Sequence, residues 1–148
     1  MLPTNQQHTP DLSARQAHLT ARDTAFVVAT VANVVLYGGA AILHRGARIP
    51  LGPIALAFPA AIPPASVAEA AIGLALAASA VALLARSRRA TTIARAGYAF
   101  AVIGTLFGLT IALLRRLPAP DIWVHVAMLI GLATGIALIP RTRPRSPA

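Results

Sequence analysis

Residues 25–43 read AFVVATVANVVLYGGAAIL, an apolar run without a charged side chain. At 1.5 Å per residue such a helix matches the ~30 Å hydrocarbon core of a bilayer. Thr20, followed three residues later by Asp23, has the spacing of a capping box that would start it. Comparable runs cover residues 67–85, 96–114 and 122–139. Ser66 and Glu69 repeat the capping-box spacing before the second run, and Pro118, Ala119, Pro120 and Asp121 lead into the fourth, which Pro140 stops. The pattern predicts an all-α, integral membrane four-helix bundle: one domain over 24–139, between a polar tail at 1–23 and a basic tail at 140–148.

Composition supports the same solvent. Of 148 residues, 57% are hydrophobic and 11% charged, against roughly 25% charged in soluble domains. All 13 basic side chains are arginine, opposed by Asp11, Asp23, Glu69 and Asp121. A formal charge of +9 would suggest nucleic acid in a soluble protein. Here the arginines flank apolar runs, where they meet lipid headgroups, so no nucleic-acid partner is expected. The chain has no cysteine, which removes disulfides, thiolate catalysis, iron–sulfur clusters and covalent c-type haem attachment. The N-terminal tail lacks the pattern of a signal peptide, so the first span is expected to remain uncleaved.

Arginine placement predicts orientation. Arg15, Arg22, Arg86, Arg88, Arg89, Arg95, Arg141, Arg143 and Arg145 fall on one side of a four-span chain, and Arg45, Arg48, Arg115 and Arg116 on the other. The positive-inside rule then puts both termini in the cytoplasm of a bacterial plasma membrane, with Arg86, Arg88, Arg89 and Arg95 as the strongest signal. The connection 49–64 carries Pro50, Pro53, Pro59, Pro63 and Pro64, which no continuous helix holds. It reads as a proline-rich outer loop, interfacial or partly re-entrant.

Small residues mark where helices approach closely: Gly97, Ala101, Gly104 and Gly108 on the third span, and Ala127, Gly131 and Gly135 on the fourth. They serve packing within one chain or, alternatively, assembly with other membrane subunits or a second copy. Asn33 at mid-span is expected to bond a neighbouring helix, and with Tyr37 it forms a polar intramembrane stripe leading to His44. Trp123 and Tyr98 read as interface anchors.

Ionisable groups at the edge of a span are the default functional candidates. His44, Glu69, Asp121 and His125 all fall near the outer boundary, and Asp121 and His125 share one helical face four residues apart. If the helices bring them together they could hold a divalent metal, or His44 and His125 could be axial ligands of a haem. Each also has a structural explanation: Glu69 as a capping-box acid, Asp121 at the positive end of a helix, His44 among headgroups beside Arg45, and His125 paired with Asp121. No G-x-S-x-G, H-E-x-x-H, Walker lysine or paired intramembrane aspartates occur, so no catalytic machinery is recognised.

The segment Asp121-Ile122-Trp123-Val124-His125 resembles the last helix of small four-helix membrane proteins of actinobacteria, which carry a similar D-x-W-x-H. The resemblance covers about twenty residues; the histidine that part of that group has on its second helix is replaced here by Glu69 alone. It implies the four-span architecture, singles out Asp121 and His125, and implies no activity. Three functions are consistent with these features. The foremost is an accessory or helix-packing component without a cofactor. The alternatives are a metal- or haem-binding protein using His44 and His125, and a small-molecule transporter with Glu69, Asp121 or His125 as proton carrier.

Overall fold

A computed structural model describes residues 19–58 and 61–140; Arg15, Pro59, Arg141, Arg143 and Arg145 lie outside the described residues. The chain forms four helices, α1 (Ala21–His44), α2 (Pro63–Leu84), α3 (Ala90–Leu114) and α4 (Ala119–Leu138). All four are long and apolar enough to cross a membrane. α1 begins with the expected capping box: Thr20 Oγ1 accepts from the Asp23 N–H, and the Asp23 carboxylate accepts from the Thr20 N–H. α2 begins earlier than expected. Pro63 and Pro64 occupy its first turn, where their missing N–H groups would be unpaired in any case and their fixed φ suits a helix. Ser66 and Glu69 therefore lie inside the helix and do not cap it.

α3 likewise starts at Ala90, not near Ala96, which places Arg95 within the helix and Tyr98 about two turns from its start. α1, α2 and α3 end alike, each with one residue in the left-handed region: Gly46 (φ 86°), Arg86 (φ 52°) and Arg116 (φ 51°). After each, a 6→1 backbone bond closes the Schellman motif, from Ala47 to Ile42, Ser87 to Ala82 and Leu117 to Ala112. Glycine accepts that conformation without a Cβ penalty. Arg116→Gly is expected to raise stability by up to about 1 kcal/mol, read as a higher melting temperature in detergent.

The connection after α1 is more ordered than a loop. β1 (Ile49–Leu51) and β2 (Ile54–Leu56) pair antiparallel in the register Ile49↔Leu56, Pro50↔Ala55 and Leu51↔Ile54. Gly52 (φ 68°) takes the positive-φ position of the two-residue turn, followed by Pro53. The ladder's alternation puts Pro50 in the pair that exchanges no hydrogen bonds, so a proline fits there. The Ile62 N–H donates to the His44 carbonyl at 2.7 Å, returning the chain to the end of α1 before α2 begins.

Each helix packs on two others, α1 on α2 and α4, and α3 on α2 and α4, an arrangement consistent with a four-helix bundle. Arg22 donates to the Ala137 carbonyl at 2.7 Å and to those of Leu138 and Ile139, so the start of α1 sits beside the end of α4. Polarity is reversed relative to a water-soluble domain. The exposed side chains include Val35, Leu74, Ile103, Phe107 and Leu114, while Thr30, Asn33, Ser79 and Thr105 are buried with Phe26, Leu76 and Leu132. Lipid matches such an exterior, and helix contacts inside it rely on small and hydrogen-bonding residues.

Glycines of α3 and α4 serve these contacts. A Cβ on Gly97 would stand 2.5 Å from Ser79 Oγ and 2.9 Å from the Ala75 carbonyl; one on Gly104 would stand 2.7 Å from Ile72, and those on Gly131 and Gly135 would overlap Asn33 and Tyr98. Ala101 is fully buried, whereas Ala127 is exposed, away from the interior seam. Asn33 bonds the neighbouring helix as expected, donating to the Gly131 carbonyl at 3.1 Å and to Ala29 in its own helix.

Tyr98 is not an interface anchor. It is buried in the space left by Gly135, against the Phe26 ring, and donates to Thr30. A matching bond joins Tyr37 to Thr105. Each threonine hydroxyl donates to the carbonyl four residues back, so each tyrosine is the donor in its pair. α1 and α3 run parallel, and the pairs recur seven residues apart on both helices, tying the two together across the interior. Tyr37→Phe and Tyr98→Phe are each expected to cost about 0.6–1.7 kcal/mol, the range for hydrogen bonds between membrane helices. Thermal melts of the two variants and their double measure it. Trp123 is 68% exposed in the first turns of α4.

Candidate functional site

Three of the four ionisable candidates meet at the end of the helices nearest the hairpin. His44 is the last residue of α1, Glu69 lies in the second turn of α2, and Asp121 in the first turn of α4. His44 Nδ1 is 2.7 Å from Glu69 Oε2 and its Nε2 is 3.5 Å from Asp121 Oδ1. All three are buried, at 2%, 6% and 3% exposure. His44 is thus not a headgroup residue: Phe58 stacks on its ring at 4.4 Å, and the return of the chain through Ile62 closes over it. Arg45, beside it, points outward and donates to Ser66 Oγ at 3.1 Å, which is the role Ser66 takes in place of a helix cap.

His125 does not pair with the Asp121 carboxylate. Its Nδ1 is 2.7 Å from the Asp121 backbone carbonyl one turn earlier, to which an Nδ1–H donates. That bond leaves Nε2 facing α3, where a Cβ on Gly108 would come within 2.6 Å of it. The Asp121 carboxylate turns the other way, toward His44. Among the described residues, no three His, Asp or Glu side chains are disposed to hold a metal ion. His44 and Glu69 face each other at hydrogen-bond distance, with no gap for an ion between them.

A cavity of about 360 Å³ connects these groups. His44, Glu69, Asp121 and His125 line it together with Tyr37 and Thr105, and its remaining wall is largely apolar, including Ile72, Ile111 and Met128. Arg115 and Leu117 lie at its outer rim, and the exposed Ala68 and Phe107 flank its opening between α2 and α3. No protein-family model, curated protein or solved structure matches this chain.

Asp121 Oδ1 is buried and has no hydrogen-bond partner. A carboxylate buried in that condition is costly, because buried polar groups are nearly always satisfied. Even with His44 as imidazolium, one positive charge faces two carboxylates, and Arg115 is exposed at the rim. The cavity therefore joins apolar walls to a polar, acceptor-rich floor, the ordinary constitution of a small-molecule site. Sequence patterns do not single out Thr105, Phe58 or Met128. Thr105 is marked only as the polar residue between Gly104 and Gly108 on the small-residue face, whereas nothing local marks Phe58, which reaches His44 only because the connection folds back.

Proposed function

We propose that this chain is a small polytopic protein of a bacterial plasma membrane, a four-helix bundle with both termini cytoplasmic, that binds a small solute in the cavity floored by His44, Glu69 and Asp121. The observation that carries binding is Asp121 Oδ1, a buried acceptor without a donor on the wall of an apolar cavity. Below the cavity the Tyr37–Thr105 pair, Leu76 and Leu132 fill the interior, so the site lies at the hairpin end of the helices. Saturable binding of a dansyl probe on a short alkyl chain to protein in nanodiscs is expected. Ala68→Phe, which puts a ring at the exposed mouth without entering the core, should abolish it. Equal binding by the parent and Ala68→Phe would sink this reading.

Orientation is testable because the chain contains no cysteine. A single cysteine at Ala55 in the hairpin is expected to react with a membrane-impermeant maleimide in intact cells. One at Ser87, among Arg86, Arg88 and Arg89, should react only after permeabilisation; the reverse pattern would invert the topology.

A second reading, an accessory subunit packed against another membrane protein or a second copy, is favoured by one feature. A shallow groove of about 190 Å³ runs along the lipid-facing side of α1 and α4, lined by Ala29, Ala32, Leu36, Gly131 and Thr134 beside Asn33. By contrast, Gly97, Gly104, Gly108 and Gly135 are met closely by side chains of neighbouring helices. Cysteines at Ala32 and Thr134 that crosslink to no neighbour in native membranes would remove this reading.

A further inference from the structure

The occupant of the cavity can be narrowed by the chemistry of its floor and mouth, an inference that rests on the binding reading above. The floor carries two carboxylates against one imidazole, and the Asp121 oxygen that faces His44 Nε2 at 3.5 Å has no hydrogen-bond donor. Glu69 is already engaged by His44 Nδ1 at 2.7 Å. His125 gives its Nδ1 to a backbone carbonyl and turns its other nitrogen toward Gly108. Among the described residues no arginine offsets the floor: Arg45 is exposed and bonded to Ser66, and Arg115 is exposed at the rim.

What the floor lacks is therefore a close donor to Asp121 Oδ1 and a second positive charge, since His44, 3.5 Å away, is shared with Glu69. A buried carboxylate gains most from a charge-assisted hydrogen bond, because water competes poorly there. A neutral hydroxyl would supply the donor and leave the charge uncompensated.

The mouth restricts the rest of the ligand. Ala68 and Phe107 border the opening on the outer surfaces of α2 and α3, with Phe107 69% exposed on a face that meets lipid. Gly104 and Gly108 line the α3 wall, where Ile72 and His125 approach them closely. A molecule entering there passes through hydrocarbon before reaching the floor, so it needs an apolar body. The volume of about 360 Å³ is near the lower end of the ~300–1,000 Å³ of sites for drug-sized ligands.

We infer that the cavity takes an amphipathic organic cation, a protonated amine on an apolar body, which enters from the lipid side between α2 and α3 and places its ammonium on Asp121.

The test uses the full chain in nanodiscs and three dansyl-alkyl probes with the same body: a primary amine, its neutral acetamide and a carboxylate. The amine is expected to bind roughly ten- to a hundredfold more tightly than the acetamide, the size of one charge-assisted hydrogen bond. The carboxylate, repelled by the floor, should bind more weakly than either. Asp121→Asn should remove the preference for the amine over the acetamide. Asp121→Glu, which keeps the charge, should retain a preference, and it serves as the readout if the asparagine variant does not fold. Equal binding of amine and acetamide to the parent, both blocked by Ala68→Phe, would overturn the cation while leaving the cavity as a solute site. Absence of any binding that Ala68→Phe blocks would overturn both. Competition by zinc or manganese ions at concentrations below those of the amine, with one ion bound per chain by elemental analysis, would replace the organic cation by a metal.

Discussion

His44→Phe should destabilise the protein by about 3–5 kcal/mol, the cost of removing one partner from a buried ion pair. The ring shape and its stack on Phe58 are largely kept, so the loss comes from the carboxylates. Glu69 and Asp121, at 6% and 3% exposure, would then face each other's charge without the imidazole that separates them. The triple variant His44→Phe, Glu69→Gln, Asp121→Asn should recover a substantial part of that loss, because replacing all members of a buried charged cluster is far less costly than leaving it half-paired. Unfolding in mixed detergent, followed by helical circular dichroism, measures both. A His44→Phe protein as stable as the parent would mean that the three side chains carry no mutual charge interaction in the folded state.

Gly97→Val should cost about 1–3 kcal/mol or more through overpacking. Its Cβ would stand 2.5 Å from Ser79 Oγ and 2.9 Å from the Ala75 carbonyl oxygen. The carbonyl belongs to the α2 backbone and cannot rotate aside, so α3 must move away from α2. Adding Ser79→Ala should restore little, since it leaves the carbonyl in place. Gly38 and Gly39 supply the contrast: a Cβ at either meets nothing within 4 Å. Gly38→Ala and Gly39→Ala should each stabilise α1 by about 0.4–1 kcal/mol, through helix propensity and a less flexible unfolded chain. Melting temperatures that fell at all three glycines, or at none, would contradict the helix contacts described.

Several elements are legible from local chemistry alone. The Thr20–Asp23 box needs only residues three apart, and the apolar runs need only their length. An amide in hydrocarbon has few partners besides a neighbouring helix, and Asn33 accordingly reaches Gly131. The second capping-box spacing misleads for an equally local reason: Ser66 and Glu69 stand the right distance apart, but Pro63 and Pro64 start the helix first. Tyr98 resembles an anchor in sequence because hydropathy marks where the apolar run begins, not where the helix does. The polar first turns of α3 carry that residue inward.

The sequence by itself determined that this chain has four membrane-length helices and that His44, Glu69, Asp121 and His125 fall toward one end of them. Both follow from hydropathy and from charge position along the chain, properties that do not depend on how helices rotate against each other. Only the tertiary structure decided which of those groups meet. His44, Glu69 and Asp121 come from three helices, and their contact depends on the rotation of each helix about its axis and on glycines that let neighbours approach. The same rotations turned His125 from the carboxylate expected as its partner to a backbone carbonyl. They also enclosed the cavity, because a space bounded by four helices is a property of their packing and of no single stretch of the chain.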